Sequence, residues 1–164
     1  MLSNGSSADI PLTIIPRQGD THISFAAGGV SASIEYRIGT ETEWTNVDFY
    51  AGDATSPGQT VGGSATYPTT VGGTQLIATV QKNQSIQLRG WSNNIKLRFS
   101  GPVDAYGNAC CTDSTCVELF RECTNLITAP SIIGGYVKCE RMFWGCSNLV
   151  NISPVIDVAA SSSL

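Results

Sequence analysis

Catalysis needs groups that exchange protons, bind metals or attack carbon, and this chain holds few of them. His22 is the only histidine among 164 residues. A lone histidine beside the strand residue Ile23 reads as an ordinary polar residue, and without a second one a Ser- or Cys-based triad lacks its usual base. Glu35, Glu41, Glu43 and Asp48 cluster along one hairpin. A glycosidase needs two carboxylates facing each other across a cleft, whereas a charged hairpin is normally solvated. The copies Val61-Gly62-Gly63 and Val71-Gly72-Gly73 are followed neither by Lys-Ser/Thr nor by a helix start, so they indicate no phosphate loop. No catalytic, metal or cofactor-binding residue is assigned, and the chain reads as a non-enzyme.

All six cysteines lie between Cys110 and Cys146. As a zinc site, Cys110-Cys111 with Cys116 lacks the paired C-x2-C spacing of structural zinc. On one regular helix Cys116 and Cys123 would stand about 10.5 Å apart, beyond the roughly 7 Å that a disulfide spans. Bonds between repeats, such as Cys123 to Cys146, stay geometrically open. The favoured reading is buried thiols acting as small hydrophobes, kept reduced by cytosolic synthesis. Three aromatics are candidate partner or glycan contacts: Trp91 in the Gly90–Asn94 turn, Trp144 in a variable slot after Phe143, and Tyr67 in a loop. Exposed tryptophans stack on sugar rings or fill pockets. For both tryptophans, packing between the two halves of the chain is the favoured alternative.

These residues must be positioned by two unlike halves. Before residue 110, apolar residues alternate in Ile23–Phe25, Ile34–Ile38, Ile86–Leu88 and Ile95–Phe99, with Gly28-Gly29, Gly39, Gly52, Gly90 and Asn93-Asn94 as turns. Period-two alternation buries one face of a strand. Short strands and frequent turns over about 100 residues predict an antiparallel immunoglobulin-like β-sandwich over 11–109. Its expected core is Ile34, Tyr36, Ile38, Trp44 as an aromatic plug, Ile86, Leu88, Ile95, Leu97 and Phe99. Residues 1–10 read as a flexible arm. Residues 51–75 are rich in Gly, Thr and Ser and read as a surface loop, with a hairpin that docks on a partner as the alternative.

The second half repeats. Cys116, Leu119, Phe120, Cys123, Asn125 and Leu126 recur 23 residues later as Cys139, Met142, Phe143, Cys146, Asn148 and Leu149. A period of 23 falls in the range where each unit supplies a strand and a short helical segment. Apolar residues at i, i+3, i+4 and i+7 place Cys116, Leu119, Phe120 and Cys123 on one helix face. Two repeats are assigned to 110–156 and a tail to 157–164.

Cys-x-x-[Leu/Met]-Phe-x-x-Cys-[Thr/Ser]-Asn-Leu, followed by a short leg ending in Pro130 or Pro154, resembles the leucine-rich repeats of BspA-type surface proteins of gut Bacteroidetes and their phages. The stretches Ser33–Trp44 and Ile86–Gly90 are similar to the sandwich that often precedes those repeats, so the likeness spans roughly residues 10 to 155. It implies adhesins or fibre components without catalytic residues. Typical members carry many repeats and are often exported; this chain has fewer than two full units, and Met1–Ile10 shows no signal peptide. A phage product, made in the host cytoplasm and released by lysis, accommodates that. The expectation is a virion structural protein, a fibre or capsid-attached decoration subunit; the alternative is an adhesin module for host glycan, on a virion or a bacterial cell surface.

Composition narrows the partners. The net charge is −4 and only nine basic residues are present, scattered along the chain, which disfavours nucleic acid. No apolar run approaches the roughly 18 residues of a membrane helix. A short array leaves its last apolar face open, so Leu149, Val150, Ile152 and Val155 form a candidate assembly face. Own copies, with a homotrimer first on fibre precedent, or other virion subunits are expected to cover it.

Overall fold

A computed structural model describes residues 11–30, 34–47, 71–91, 95–113, 116–152 and 156–162. The fold is mainly β, and among the described residues there is no helix. The first strands are β1 (Leu12–Pro16), β2 (Thr21–Val30), β3 (Glu35–Ile38), β4 (Thr45–Asn46), β5 (Val71–Val80), β6 (Ile86–Arg89) and β7 (Ile95–Phe99). Then follow β8 (Val103–Tyr106), β9 (Asn108–Asp113), β10 (Leu126–Ala129), β11 (Ser131–Lys138), β12 (Asn151–Ile152) and β13 (Ile156–Ser162).

These strands make three sheets, in the orders β12-β10-β8-β1-β6-β3-β4, β5-β2-β7 and β13-β11-β9. Strands β1 to β7 pair antiparallel among themselves. Their alternation works as the sequence predicts: Leu12, Ile14, Ile86, Leu88, Ile95, Leu97 and Phe99 are buried, with half-buried residues between them. Ile34 is buried, and Tyr36 and Ile38 pack against the core. Trp44 does not plug it. The ring is half-buried, with the guanidinium of Arg37 4.6 Å from its centroid and that of Arg89 4.1 Å away. Cations favour an aromatic face, and the stretch after β3 is too polar to turn the indole inward.

The later strands are parallel. β8 pairs β1 antiparallel on one side and β10 parallel on the other, and β12 continues from β10. β9, β11 and β13 form the second parallel set. The register carries the sequence period: Val103 lies opposite Leu126, Thr128 opposite Asn151, and Asn108 opposite Ser131, each 23 residues on. Each rung is thus a bent segment and two strands. The first rung consists of β7, β8 and β9, and the sequence reading assigned β7, β8 and the start of β9 to the preceding half.

Three expectations change accordingly. The composition boundary at 109/110 falls inside β9, and one hydrophobic cluster runs from Leu12 and Phe25 through to Phe120 and Met142. Residues 157–162 belong to β13 and are not a tail, while 71–75 of the expected loop belong to β5. Residues 116–123 are not helical. They form successive tight turns, with Leu119 N–H bonded to Cys116 O, Arg121 to Glu118 and Cys123 to Phe120. Glu118 and Glu122 have φ of 57° and 61°; the equivalent Arg141 and Gly145 have 54° and 78°. A left-handed residue ends a right-handed helix wherever it occurs. The helical spacing nonetheless identified the right buried set, since Cys116, Leu119, Phe120 and Cys123 are all in the core.

Phe120 is fully buried and stacks on the half-buried Phe143, with ring centroids 5.6 Å apart and planes 5° from parallel. Phe120→Ala is expected to cost about 3–5 kcal/mol in urea unfolding, and Phe143→Ala distinctly less. Equal losses would mean that the two rungs are equally enclosed.

Candidate functional site

The site is built from how one rung holds the next. Leu97 N–H of β7 bonds Leu119 O in the first bent segment at 2.8 Å. The N–H groups of Glu118, Phe120 and Glu122 bond the carbonyls of Glu140, Met142 and Trp144 at 3.0, 3.1 and 2.6 Å. Along the bent segments N–H groups of one point forward and carbonyls of the next point back, whereas just beyond them Val150 N–H donates back to Ile127 O at 3.0 Å. The cysteine and asparagine that mark the repeat serve the same joint. Cys123 Sγ–H donates to Leu97 O, and Cys146 Sγ–H to Phe120 O. Asn125 Nδ2 donates to Phe99 O and Asn148 Nδ2 to Thr124 O, each at 2.8 Å. Gly145 stands closest to the preceding rung: a Cβ there would lie 3.3 Å from the Glu122 Cα.

Enclosure fades along the stack. Phe120, Cys123 and Leu126 are buried, whereas Phe143, Cys146 and Leu149 are half-buried. Beyond them Val150 is 73% exposed, Ile152 64% and Trp144 57%. Of the predicted assembly face, Val150 and Ile152 are exposed, Leu149 is half-buried and packs against the core, and Val155 lies outside the described residues.

Beside this end sits a charged cluster that sequence reasoning missed. Glu118 meets Lys96 at 3.0 Å, Arg121 at 2.7 Å and Arg141 at 3.6 Å, so one carboxylate ties three successive rungs. The Lys96 hydrogen bond, then Arg121, holds its carboxyl below the ordinary value against the opposing effect of burial. Arg121 in turn lies 4.9 Å over the Trp144 ring. The 23-residue offset between Arg121 and Trp144 was a usable signal for that pair.

The other candidates separate. Trp91 is 1% exposed and belongs to the core, so it is no surface contact, in keeping with the inward packing weighed for it. Tyr67 and Asp48 lie outside the described residues. His22 is exposed on β2, its Nδ1 2.7 Å from Thr79 Oγ1 on the paired β5. Glu35 is bound to Arg89 at 2.7 Å, and Glu41 accepts from the Ile38 N–H. Each serves a strand pair or a turn.

The cysteines divide by role. Cys116 is disulfide-bonded, which corrects the buried-thiol reading for that residue, while Cys123, Cys139 and Cys146 are free. Burial pushes the Cys123 thiol up to about 12, and it raises Cys139 and Cys146 as well. Among the described residues no three His, Cys, Asp or Glu side chains stand where they could share a metal ion. No helix among them is long and apolar enough to cross a membrane.

No protein-family model matches the chain, no curated protein matches its sequence, and no solved structure matches its fold.

A lowered carboxyl stabilises the fold fully above its unfolded value and loses that contribution as pH falls through the folded one. Acid titration of unfolding should therefore show a loss setting in below the ordinary value of 4.5, and Glu118→Gln should flatten that limb. An unchanged acid limb in the variant would remove the cluster from the account. For the thiols, iodoacetamide at pH 8 is expected to spare Cys123 in the native protein and modify it after unfolding, because only the thiolate reacts. Rapid native labelling of Cys123 would contradict its burial.

Proposed function

We propose that the chain is a non-enzymatic structural protein of a phage particle, a fibre or capsid-attached decoration subunit displayed on the virion. In this reading the antiparallel part is an immunoglobulin-like sandwich and the parallel part a short leucine-rich-type array. The observation that carries it is the in-register stacking of the two motif copies, Phe120 on Phe143 with backbone bonds between the rungs. The repeat resemblance requires that arrangement. A stack growing from a sheeted base, with Trp144, Val150 and Ile152 exposed on its last motif copy, suits attachment and display better than turnover. The Cys116 disulfide suits a protein that works outside the reducing cytosol. Its partners are then other virion subunits or further copies, with a homotrimer as the first symmetry to test.

A second reading, recognition of host surface glycan, is favoured by Trp144. The ring is 57% exposed and is held from behind by Arg121, and an oriented indole is a stacking platform for a sugar. An antibody raised against the purified chain is expected to label phage particles in lysates of the source culture. Label confined to the bacterial envelope would overturn the virion assignment. On a host-glycan array, signal that Trp144→Ala abolishes would establish the second reading, and a blank array would remove it.

A further inference from the structure

The outer face of the seven-stranded sheet carries a row of side chains set by strand register. Leu12, Ile14, Ile86 and Leu88 are buried, and Tyr36 and Ile38 pack against the core. Alternation therefore turns Thr13, Gln87 and Arg37 to the opposite face. Tyr106 of β8 lies opposite Thr13 of β1, Thr13 opposite Gln87 of β6, and Gln87 opposite Arg37 of β3. The strand spacing puts Tyr106 about 14 Å from Arg37 along this row. Tyr106 is 45% exposed. At the other end Trp44 meets the guanidiniums of both Arg37 and Arg89, and Gln87 accepts from Arg37 Nε. Arg89 is bonded in turn to Glu35. These contacts fix the arginine end of the row.

We propose that this row binds a neutral oligosaccharide lying across the strands, with one sugar ring on Tyr106 and hydroxyls on Thr13, Gln87 and Arg37. A tyrosine ring offers an apolar face for stacking. Thr13 Oγ1 donates to Pro11 O, so toward a ligand it accepts. The Gln87 carbonyl is taken by Arg37 Nε, so its NH2 is the group that donates outward. A guanidinium stacked on an indole keeps its N–H edge for hydrogen bonds. Hydroxyls both donate and accept, and a sugar chain meets such a mixed row without a charge of its own. A protein partner fits it badly, because interface cores are apolar and Thr13 and Gln87 are what stand between Tyr106 and Arg37. Charge argues against an anionic glycan: Glu35 pairs Arg89, and Glu41 and Glu43 lie exposed just before Trp44. One sugar ring does not reach from Tyr106 to Arg37, which calls for an oligosaccharide.

This inference shares the ligand class of the second reading and rests on it, but it uses a sheet face and not Trp144. The whole chain would be screened on a glycan array, and the neutral oligosaccharide with the strongest signal titrated by calorimetry. Tyr106→Ala and Arg37→Gln are each expected to weaken binding roughly tenfold, equivalent to about 1.4 kcal/mol. The constituent monosaccharide should bind weaker than the oligosaccharide by a similar factor. Circular dichroism of Tyr106→Ala should match the unaltered chain, because the position is exposed. Should Arg37→Gln disturb the fold, Tyr106→Ala decides alone. A blank array would remove this proposal together with the second reading. Binding that Trp144→Ala abolishes and Tyr106→Ala spares would uphold the second reading and overturn this one. Preference for acidic glycans, or equal affinity for the monosaccharide, would overturn it as well.

Discussion

Everything beyond residue 107 depends on one strand bonded on both edges. β8 is held antiparallel by β1, and only for that reason can it present a straight, correctly registered edge to β10. Parallel neighbours cannot be made by a hairpin; they need a crossover of a dozen or more residues. Here the crossover is itself structured, because β9 and the bent segment 116–125 occupy it. A second tether, from Leu97 of β7 to Leu119, fixes another side of the same rung. The antiparallel strands therefore serve as a template: they pay the entropic cost of the first rung, and each later rung copies the register before it.

The chemistry of copying is mostly backbone chemistry. Side chains that look like signatures of a metal or redox site, the recurrent cysteines, use their sulfurs as hydrogen-bond donors to the preceding segment. The recurrent asparagines do so with their amides. Apolar residues fill the inside, from Leu97 through Phe120 to Phe143, while Asp104, Thr128 and Asn151 form a polar ladder outside. Glu118 adds a charged clasp across three rungs. Such partly exposed ion pairs contribute modestly, so the clasp orders neighbouring rungs more than it holds the whole together.

Period-two alternation made the antiparallel core legible, because Ile86, Leu88, Ile95 and Leu97 had to share a face. The period of 23 made the parallel register legible in the same way. Two things were hidden. The helical spacing of Cys116, Leu119, Phe120 and Cys123 is satisfied equally by a chain of tight turns, and the forward-facing N–H groups, engaged by the next rung, decide between them. The leading rung was invisible because Leu97, Val103 and Ala109 share positions with Phe120, Leu126 and Ile132 but not the marker residues. Held by β1 and β2, that rung needs neither the cysteine nor the asparagine. Trp44 and Trp91 both have polar neighbours in the sequence, so it did not show that the first lies beside arginines and the second in the core.

The constant polarity of the joint along the bent segments also bears on how such a gene can change length. Because the leading edge of each bent segment matches that of the one before, duplication or deletion of one complete 23-residue coil restores every bond at the seam. An insertion of any other size throws Phe off Phe and donor off acceptor through all coils downstream. Variation among close relatives is then expected to be quantised, arriving in whole coils between the β8–β9 base and the last segment. Ordinary small insertions should gather where no coil depends on them, such as the stretch between β4 and β5.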